Sequence, residues 1–325
     1  MSNETIKRLK LCEKQQIIDF LNEHWGTIHP LVNNETLFNY YYADGEWTNF
    51  YCLCDDDGIA AVCGYIKCSE ADNSDIWISI WCAKKGKNGL GLALMGKMQE
   101  LTGAKVMSCN NIRKNTMPFY TFLGYHPDEM KHYYRLRDLT EYKMAVVNCK
   151  NIPVCEEPKT ELVEFADIED VKKHFDNFGS SKPQKDYWYV DKRYFNYPHY
   201  KYKVFGIFKD GICSSLVVFR VNESDEGFVL RLVDYIGNPA DFGGINGHID
   251  SLMEKYNCEY CDCYCYGADG EKAGFVLRTA DDTNIIPNYL NTLLQKNIDY
   301  YFFTTGTEDF MMFKADGDQD RMNLG

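Results

Sequence analysis

The sequence is short of positive charge. Its 325 residues hold 35 Lys and Arg against 48 Asp and Glu, a formal net charge of −13, and no basic block offsets the excess. Nucleic-acid binding draws its affinity from cations set against phosphates, so no nucleic-acid partner is expected. Long apolar runs are missing too. None reaches the length that crosses a bilayer, and the opening MSNETIKRLKLCEKQQ has no apolar core of a secretory signal. The expectations are no membrane partner and a cytoplasmic chain. Two nucleotide signatures are also lacking. No glycine loop ends in Gly-Lys-Ser/Thr, as a Walker loop does. No acid closes the strand after the loop at 84–91, as a dinucleotide fold wants; that strand ends in Cys109-Asn110-Asn111.

Cysteine and tyrosine are plentiful, at 14 and 24. Cys52, Cys54, Cys63 and Cys82 lie in apolar, strand-like runs, where cysteine acts as a small hydrophobe. Free thiols in a reducing compartment follow, not a disulfide framework. The densest cluster is Cys258, Cys261, Cys263 and Cys265. A zinc ribbon uses two separated knuckles, whereas here Cys261, Cys263 and Cys265 share one face of a single strand. A buried sheet face is expected, with no metal. Near the end, Asp316, Asp318 and Asp320 are spaced like the start of a Ca²⁺ loop but lack its glycine and closing Glu. They read as a polar group leaving a strand end or as a frayed, solvated terminus.

The hydrophobic pattern runs in order along the first half. Ile17, Ile18, Leu21 and Trp25 mark one face of a helix stopped by Gly26. A short Tyr-rich helix follows, then two apolar runs around Asp57-Gly58, a hairpin signal. A strand 76–82, a glycine loop, a helix, a strand near 106–111, a short helix and a closing strand KHYYRLRDL complete the series. The second half repeats it. Asp210-Gly211 lies 153 residues after Asp57-Gly58, and the same shift carries IWISIWC onto VLRLVDY and Gly91 onto Gly244. Two copies of one unit are expected, with the boundary in the polar stretch 148–160, giving domains 1–147 and 148–325.

The loop GKNGLG joins a strand to a helix. Such a junction offers unpaired amides at a positive helix end, and glycine lets an anion approach the backbone closely. The loop, and NTMPFYTFLGY after it, resemble the GNAT superfamily of N-acetyltransferases. There an Arg/Gln-x-x-Gly-x-Gly/Ala loop holds the CoA pyrophosphate, and an Asn precedes Tyr-x-x-x-Gly-Phe/Tyr. Gly89, Gly91, Asn115, Tyr120, Gly124 and Tyr125 match; Gly86 stands in place of the first Arg/Gln, and Pro118 where Ala is common.

The resemblance covers roughly 11–137 and implies acetyl-CoA, or another acyl-CoA, as co-substrate, bound by Lys87, Asn88, Gly89, Leu90, Gly91, Leu92 and Asn115. A backbone N–H near Trp81 or Cys82 would polarise the thioester carbonyl, and Tyr120 would protonate the departing thiolate; Tyr120 also fits as one more core aromatic. His29 and His132 are candidate bases. The second copy has lost the glycine pattern, and Asp234, Asn238, Asp241 and His248 are candidates to hold a hydroxyl-rich acceptor.

The fold class implied is α/β (α+β): two tandem GNAT-like units, each a mixed, mostly antiparallel central sheet flanked by helices. A looser resemblance to proteins encoded with bacterial surface-polysaccharide genes suggests an amino-sugar acceptor, nucleotide-linked, and a monomer or homodimer. Two alternatives stay open: a non-catalytic sugar-binding module with a decayed loop, and an aminoacyl transferase of tandem architecture, which the missing basic stripe disfavours.

Overall fold

Runs rich in β-branched, aromatic and cysteine residues become the strands, and the chain turns back where it offers Asp-Gly. The computed structural model describes residues 4–154, 157–179 and 181–321. Residues 155–156 of the expected linker and 322–325 of the tail lie outside the described residues. The first half contributes β1 (Thr5–Lys10), β2 (Ala43–Asp44), β3 (Trp47–Asp55), β4 (Gly58–Lys67), β5 (Ile76–Ala83), β6 (Met107–Ile112), β7 (His126–Glu129) and β8 (Lys131–Leu136). From the second half come β9 (Glu161–Phe165), β10 (Lys203–Lys209), β11 (Ile212–Ser224), β12 (Gly227–Gly237), β13 (Cys258–Tyr266), β14 (Val276–Leu277), β15 (Tyr301–Thr304) and β16 (Met312–Phe313). The helices are α1 (Lys14–His24), α2 (Pro30–Asn33), α3 (Glu35–Tyr42), α4 (Asn88–Thr102), α5 (Met117–Phe122), α6 (Ile168–His174), α7 (Tyr187–Val190) and α8 (Ile249–Lys255).

Two mixed, mostly antiparallel sheets form, in the orders β1-β3-β4-β5-β6-β15-β7 and β14-β8-β13-β12-β11-β10-β9. The expected class of two such sheets flanked by helices is what the structure has. The hairpin signals hold: Asp210 and Gly211 both take positive φ, +52° and +80°, between the paired residues Lys209 and Ile212. Strand β1 escaped the sequence pattern, because Ile6 and Leu9 fit no period-2 alternation. It is held at the sheet edge by Arg8, which donates to Asp44 (2.6 Å), Asn49 (2.8 Å) and the Thr48 carbonyl (2.8 Å).

The closing strands do not stay with their own halves. KHYYRLRDL, expected to close the first unit, pairs as β8 with β13 of the second sheet, Tyr260 opposite Leu136 through Cys265 opposite Lys131. In return β15 enters the first sheet between β6 and β7, with Phe303 opposite both Cys109 and Pro127. The chain boundary near 148 is therefore not where one sheet ends and the other begins. A buried pairing partner outweighs proximity in sequence, since an unfilled gap would leave two strand edges bare.

Helices α4 and α5 cover one face of the first sheet, with Leu94, Met95, Met98 and Tyr120 against Ile76, Ile78 and Phe303. The opposite face packs on α1–α3, and that layer runs without a break into Val171, Tyr189, Val190 and Tyr194 of the second half. The second sheet sets Cys261, Cys263 and Cys265 on a buried face beside Ile249 and Met253 of α8, as the period-2 reading expected. The thirteen described cysteines are free thiols.

Neither half completes its own sheet, so residues 1–147 expressed alone should fail to give a cooperative unfolding transition, while co-expression with 148–325 restores it. Phe303→Ala should lower the stability of the whole chain by about 3–5 kcal/mol, read by urea denaturation. A stable, monomeric 1–147 fragment would overturn this.

Candidate functional site

Strands β5 and β6 run parallel but pair at only two positions, Ile76 with Met107 and Trp77 with Ser108. Asp75 pins the base of the pair, accepting from the Val106 amide at 2.8 Å. Beyond Trp77 the strands part, and among the described residues no other segment hydrogen-bonds to the β6-facing edge of β5. At the far end of β5, the first turn of α4 has no side-chain cap, and Leu90 and Gly91 both donate to the Lys87 carbonyl (3.0 and 3.3 Å). First-turn amides lack intrahelical partners, so those of Asn88 and Gly89 are left at an open, positive helix end.

The three glycines of the loop do different work. Gly86 takes φ +83° and makes the turn. A Cβ on Gly91 would sit 2.9 Å from the Ala83 Cβ, so this glycine permits close strand-helix packing, reinforced by Trp81 donating its indole N–H to the Gly91 carbonyl at 3.0 Å. Around Gly89 there is open space. Lys87 is committed to Asp55 at 2.9 Å, with Asp57 at 4.0 Å. The loop can hold an anion by backbone amides at Asn88 and Gly89, with Lys87 already spent on Asp55. Leu90 and Leu92 are half-buried in the first turn, and Asn115 is exposed on the short turn before α5.

Tyr120 is buried between Trp81 (ring centroids 6.1 Å) and Phe303 (4.3 Å) on the α4–α5 face. Burial raises its pKa far above the usual phenol range, so it stays protonated with a proton to donate. Cys82 faces the opposite layer. Between them and the splay lies a residue the sequence reading missed. The β4–β5 register slips between Gly64 and Tyr65, making Ser79 the unpaired residue of a bulge, and its hydroxyl is 2.7 Å from the Tyr42 hydroxyl. Bulges redirect backbone groups out of the ladder, so Ser79, not Trp81 or Cys82, is where β5 breaks its pairing. A lone serine in IWISIWC was the only sequence signal.

The two histidines do not join Tyr120. His29 caps α2 beside Trp25, on the helix layer across the sheet. Burial and the Arg321 guanidinium lower its pKa to about 4, against a smaller pull from Asp318. His132, read as part of the first unit, lies in the second sheet on β8. It is stacked on Tyr264 at 4.0 Å, and its Nδ1 accepts from Arg278 at 3.0 Å. Burial, then Arg278, drive its pKa well down.

The four acceptor candidates disperse as well. Asp234 is fully buried and takes both Lys185 bonds (2.6 and 2.8 Å) and the Tyr194 hydroxyl, which puts it out of a ligand's reach. Asn238 caps a short 3-10 turn through the Ala240 amide, and His248 Nε2 lies 3.0 Å from the Thr160 hydroxyl. Asp241 alone faces a cavity, an open groove of about 480 Å³ that also touches Gly243 and Gly244.

The acidic tail is neither frayed nor a cation loop. Asp316 meets Lys185 at 2.7 Å, Asp320 meets Arg220 at 3.0 Å, and Asp318 pairs with Arg321. Arg193 clamps the backbone, donating to Ala315 O (3.0 Å) and Gln319 O (2.7 Å). This strand-like tail enters the second splay: β16 pairs with Cys265 and Tyr266 of β13, and the Ala315 amide donates to Val233 of β12 at 2.9 Å. The same tail touches the first splay by side chains, Asn110 of β6 donating to the Phe313 and Asp316 carbonyls (3.1 and 3.2 Å). Among the described residues the β5–β6 edge beyond Trp77 nonetheless stays unpaired, whereas in the second unit the tail pairs into the gap. There the α4 counterpart is only the seven-residue α8, and Gly244 is packed against Ile207 and Thr160.

Lys185→Met would leave Asp234 and Asp316 facing each other without a cation, and should cost about 3–5 kcal/mol. Asp234→Asn keeps the Lys185–Asp316 pair and should cost clearly less; equal losses would sink this account. His29 predicts an acid sensitivity. Its folded pKa lies below the unfolded value, so the unfolded state takes up the proton first. Stability is full above about 6.5 and falls toward pH 4, by about 3 kcal/mol from this group. His29→Gln should flatten urea-midpoint-versus-pH curves in that window.

No family model matches the sequence, and no curated protein matches it either. Solved structures do. A probable N-acyltransferase of unknown function from Enterococcus faecalis is 12% identical, with a TM-score of 0.53, over 94% of this chain and 72% of that one. A GCN5-related N-acetyltransferase from Anabaena variabilis is 9% identical, with a TM-score of 0.53, over 93% and 72%. Another, from Kribbella flavida, is 11% identical, with a TM-score of 0.50, over 93% and 71%. At such identities the likeness speaks for the fold alone, which this chain shares with these solved structures.

Proposed function

We propose that the protein is an acyl-CoA-dependent N-acyltransferase whose acyl donor lies in the β5–β6 splay of the first unit. The observation that carries this is the contrast between the two splays. In one the β5–β6 edge stays unpaired beside an uncapped helix start with bare space at Gly89, and in the other the protein's own tail pairs into the gap. The amides of Asn88 and Gly89 would receive the pyrophosphate, with Leu90 and Leu92 beside it. Gly86 in place of the family's Arg/Gln, and Lys87 tied to Asp55, leave neither position to supply a side chain to the anion.

In the reaction a neutral amine attacks the thioester carbonyl, the C–N bond forms, and the C–S bond breaks with the electron pair leaving on sulfur. The bulge at Ser79 offers a backbone N–H freed from the β4 ladder to the developing oxyanion. Tyr120, held protonated, donates to the sulfur as it departs, and the proton shed by the attacking nitrogen as the amide forms returns through water to the phenol. The acceptor in this reading is an amino sugar, nucleotide-linked, and acetyl-CoA is the donor. His29, with a pKa of about 4, is too weak a base to deprotonate an ammonium at neutral pH, so the amine enters already neutral.

Calorimetric titration with acetyl-CoA should give micromolar binding that Gly89→Trp abolishes. Gly91→Trp is not a usable control, since any side chain there strikes Ala83. Tyr120→Phe should bind acetyl-CoA normally and lose roughly 10²–10⁴-fold in turnover. Absent binding by every acyl-CoA tried would make the loop a turn only and favour a non-catalytic sugar-binding module.

A further inference from the structure

A second cavity, of about 640 Å³, lies between β11, β12 and the tail, within the range of small-molecule sites. In a chain of net charge −13 its wall is basic: Lys201, Lys203, Arg220, Arg231, Lys314 and Arg321 against Glu223 and Asp320. Most of these cations are committed. Arg231 pairs with Asp262 at 2.8 Å, Arg220 with Asp320 at 3.0 Å, Lys203 with Glu164 at 2.8 Å, and Arg321 with Asp318.

Lys314 is different. It is 4% exposed, yet among the described residues no carboxylate pairs with it and no hydrogen bond engages it. Its Nζ lies 3.5 Å from the centre of the Tyr300 ring. Beside it Asn288, also buried, donates to the Tyr300 hydroxyl at 2.5 Å and leaves its Oδ1 without a partner. A buried ammonium without a counter-charge is costly, and a ligand oxyanion would supply one. An unpaired amide oxygen next to it asks for a donor such as a sugar hydroxyl.

We propose that this cavity binds a small polyhydroxylated molecule bearing an oxyanion, phosphate or carboxylate, with the anion on Lys314 and a hydroxyl on Asn288. Electrostatics fit the geometry. The groups facing Lys314 are Arg231 of β12, Arg220 of β11, Asp262 of β13, His132 of β8 and Asp320 of the tail, with the rings of Tyr264 and Tyr300. Burial and Arg231 hold its pKa well below the usual lysine range. An arriving anion favours the charged amine, so binding takes up a proton and weakens as pH rises.

The test is calorimetry on the full chain with glucosamine 6-phosphate, glucuronate and uncharged glucosamine, in the absence of acyl-CoA. The site is thereby probed independently of acyl transfer, and either conclusion can fail alone. At least one anionic sugar should bind roughly tenfold or more tighter than glucosamine. Whichever anion wins assigns the group. Titrations in two buffers of different ionisation enthalpy should report proton uptake, and affinity should fall as pH rises. Lys314→Met, which replaces a buried amine that has no hydrogen-bond partner among the described residues and should fold, should abolish the preference, the proton uptake and the pH slope. No preference for either anion, no proton uptake, or an unchanged preference in Lys314→Met would overturn the assignment. Asn288→Asp, setting a carboxylate against the anion, should weaken anionic sugars while sparing glucosamine; unaffected anion binding would also count against it.

Discussion

Each sheet is completed by a strand from the other half of the chain, and the rest of the molecule depends on that exchange. A strand lying between two others must find partners on both edges, because buried N–H and C=O groups left unpaired cost several times what a formed bond gains. With β15 between β6 and β7, and β8 between β13 and β14, neither half can close its sheet without the other. The exchange also sets the two units face to face, so that α1–α3 and the helices of the second half share one apolar layer.

Through that layer runs the tail, and its burial decides how the two units differ. Four buried or nearly buried carboxylates, Asp234, Asp316, Asp318 and Asp320, would be untenable there alone. Lys185, Arg220 and Arg321 each supply a partner, and Arg193, stacked among Tyr194, Tyr197 and Tyr202, ties down the tail's carbonyls. The abundance of tyrosine finds its reason here, since a phenol offers apolar surface and one polar tip where a charged strap crosses a core. The tail pairs into the second splay, while in the first it only packs against β6 and Trp77, and the β5–β6 edge beyond Trp77 stays unpaired. One repeated fold thus yields one unit with an unpaired strand edge beside a glycine loop and one with a basic-walled cavity.

Local chemistry is the part of this fold that could be read along the chain. Asp-Gly turns, period-2 runs such as Cys258–Tyr266, the Gly26 stop and the glycines at 86, 89 and 91 set hairpins, strands and a strand-to-helix junction whatever surrounds them. The repeat followed, because a shift of 153 residues moves these local signals together. Only the tertiary structure decided the rest, since it rests on partners distant in sequence. That β8 leaves its own half, that Asp234 is spent on Lys185, that Ser79 bulges, and that Lys314 is buried without a counter-charge all follow from which segment reached a given edge or pocket. Side chains of the same type, Asp234 and Asp241 or Lys87 and Lys314, part ways once burial and pairing are assigned. A composition or a spacing carries neither.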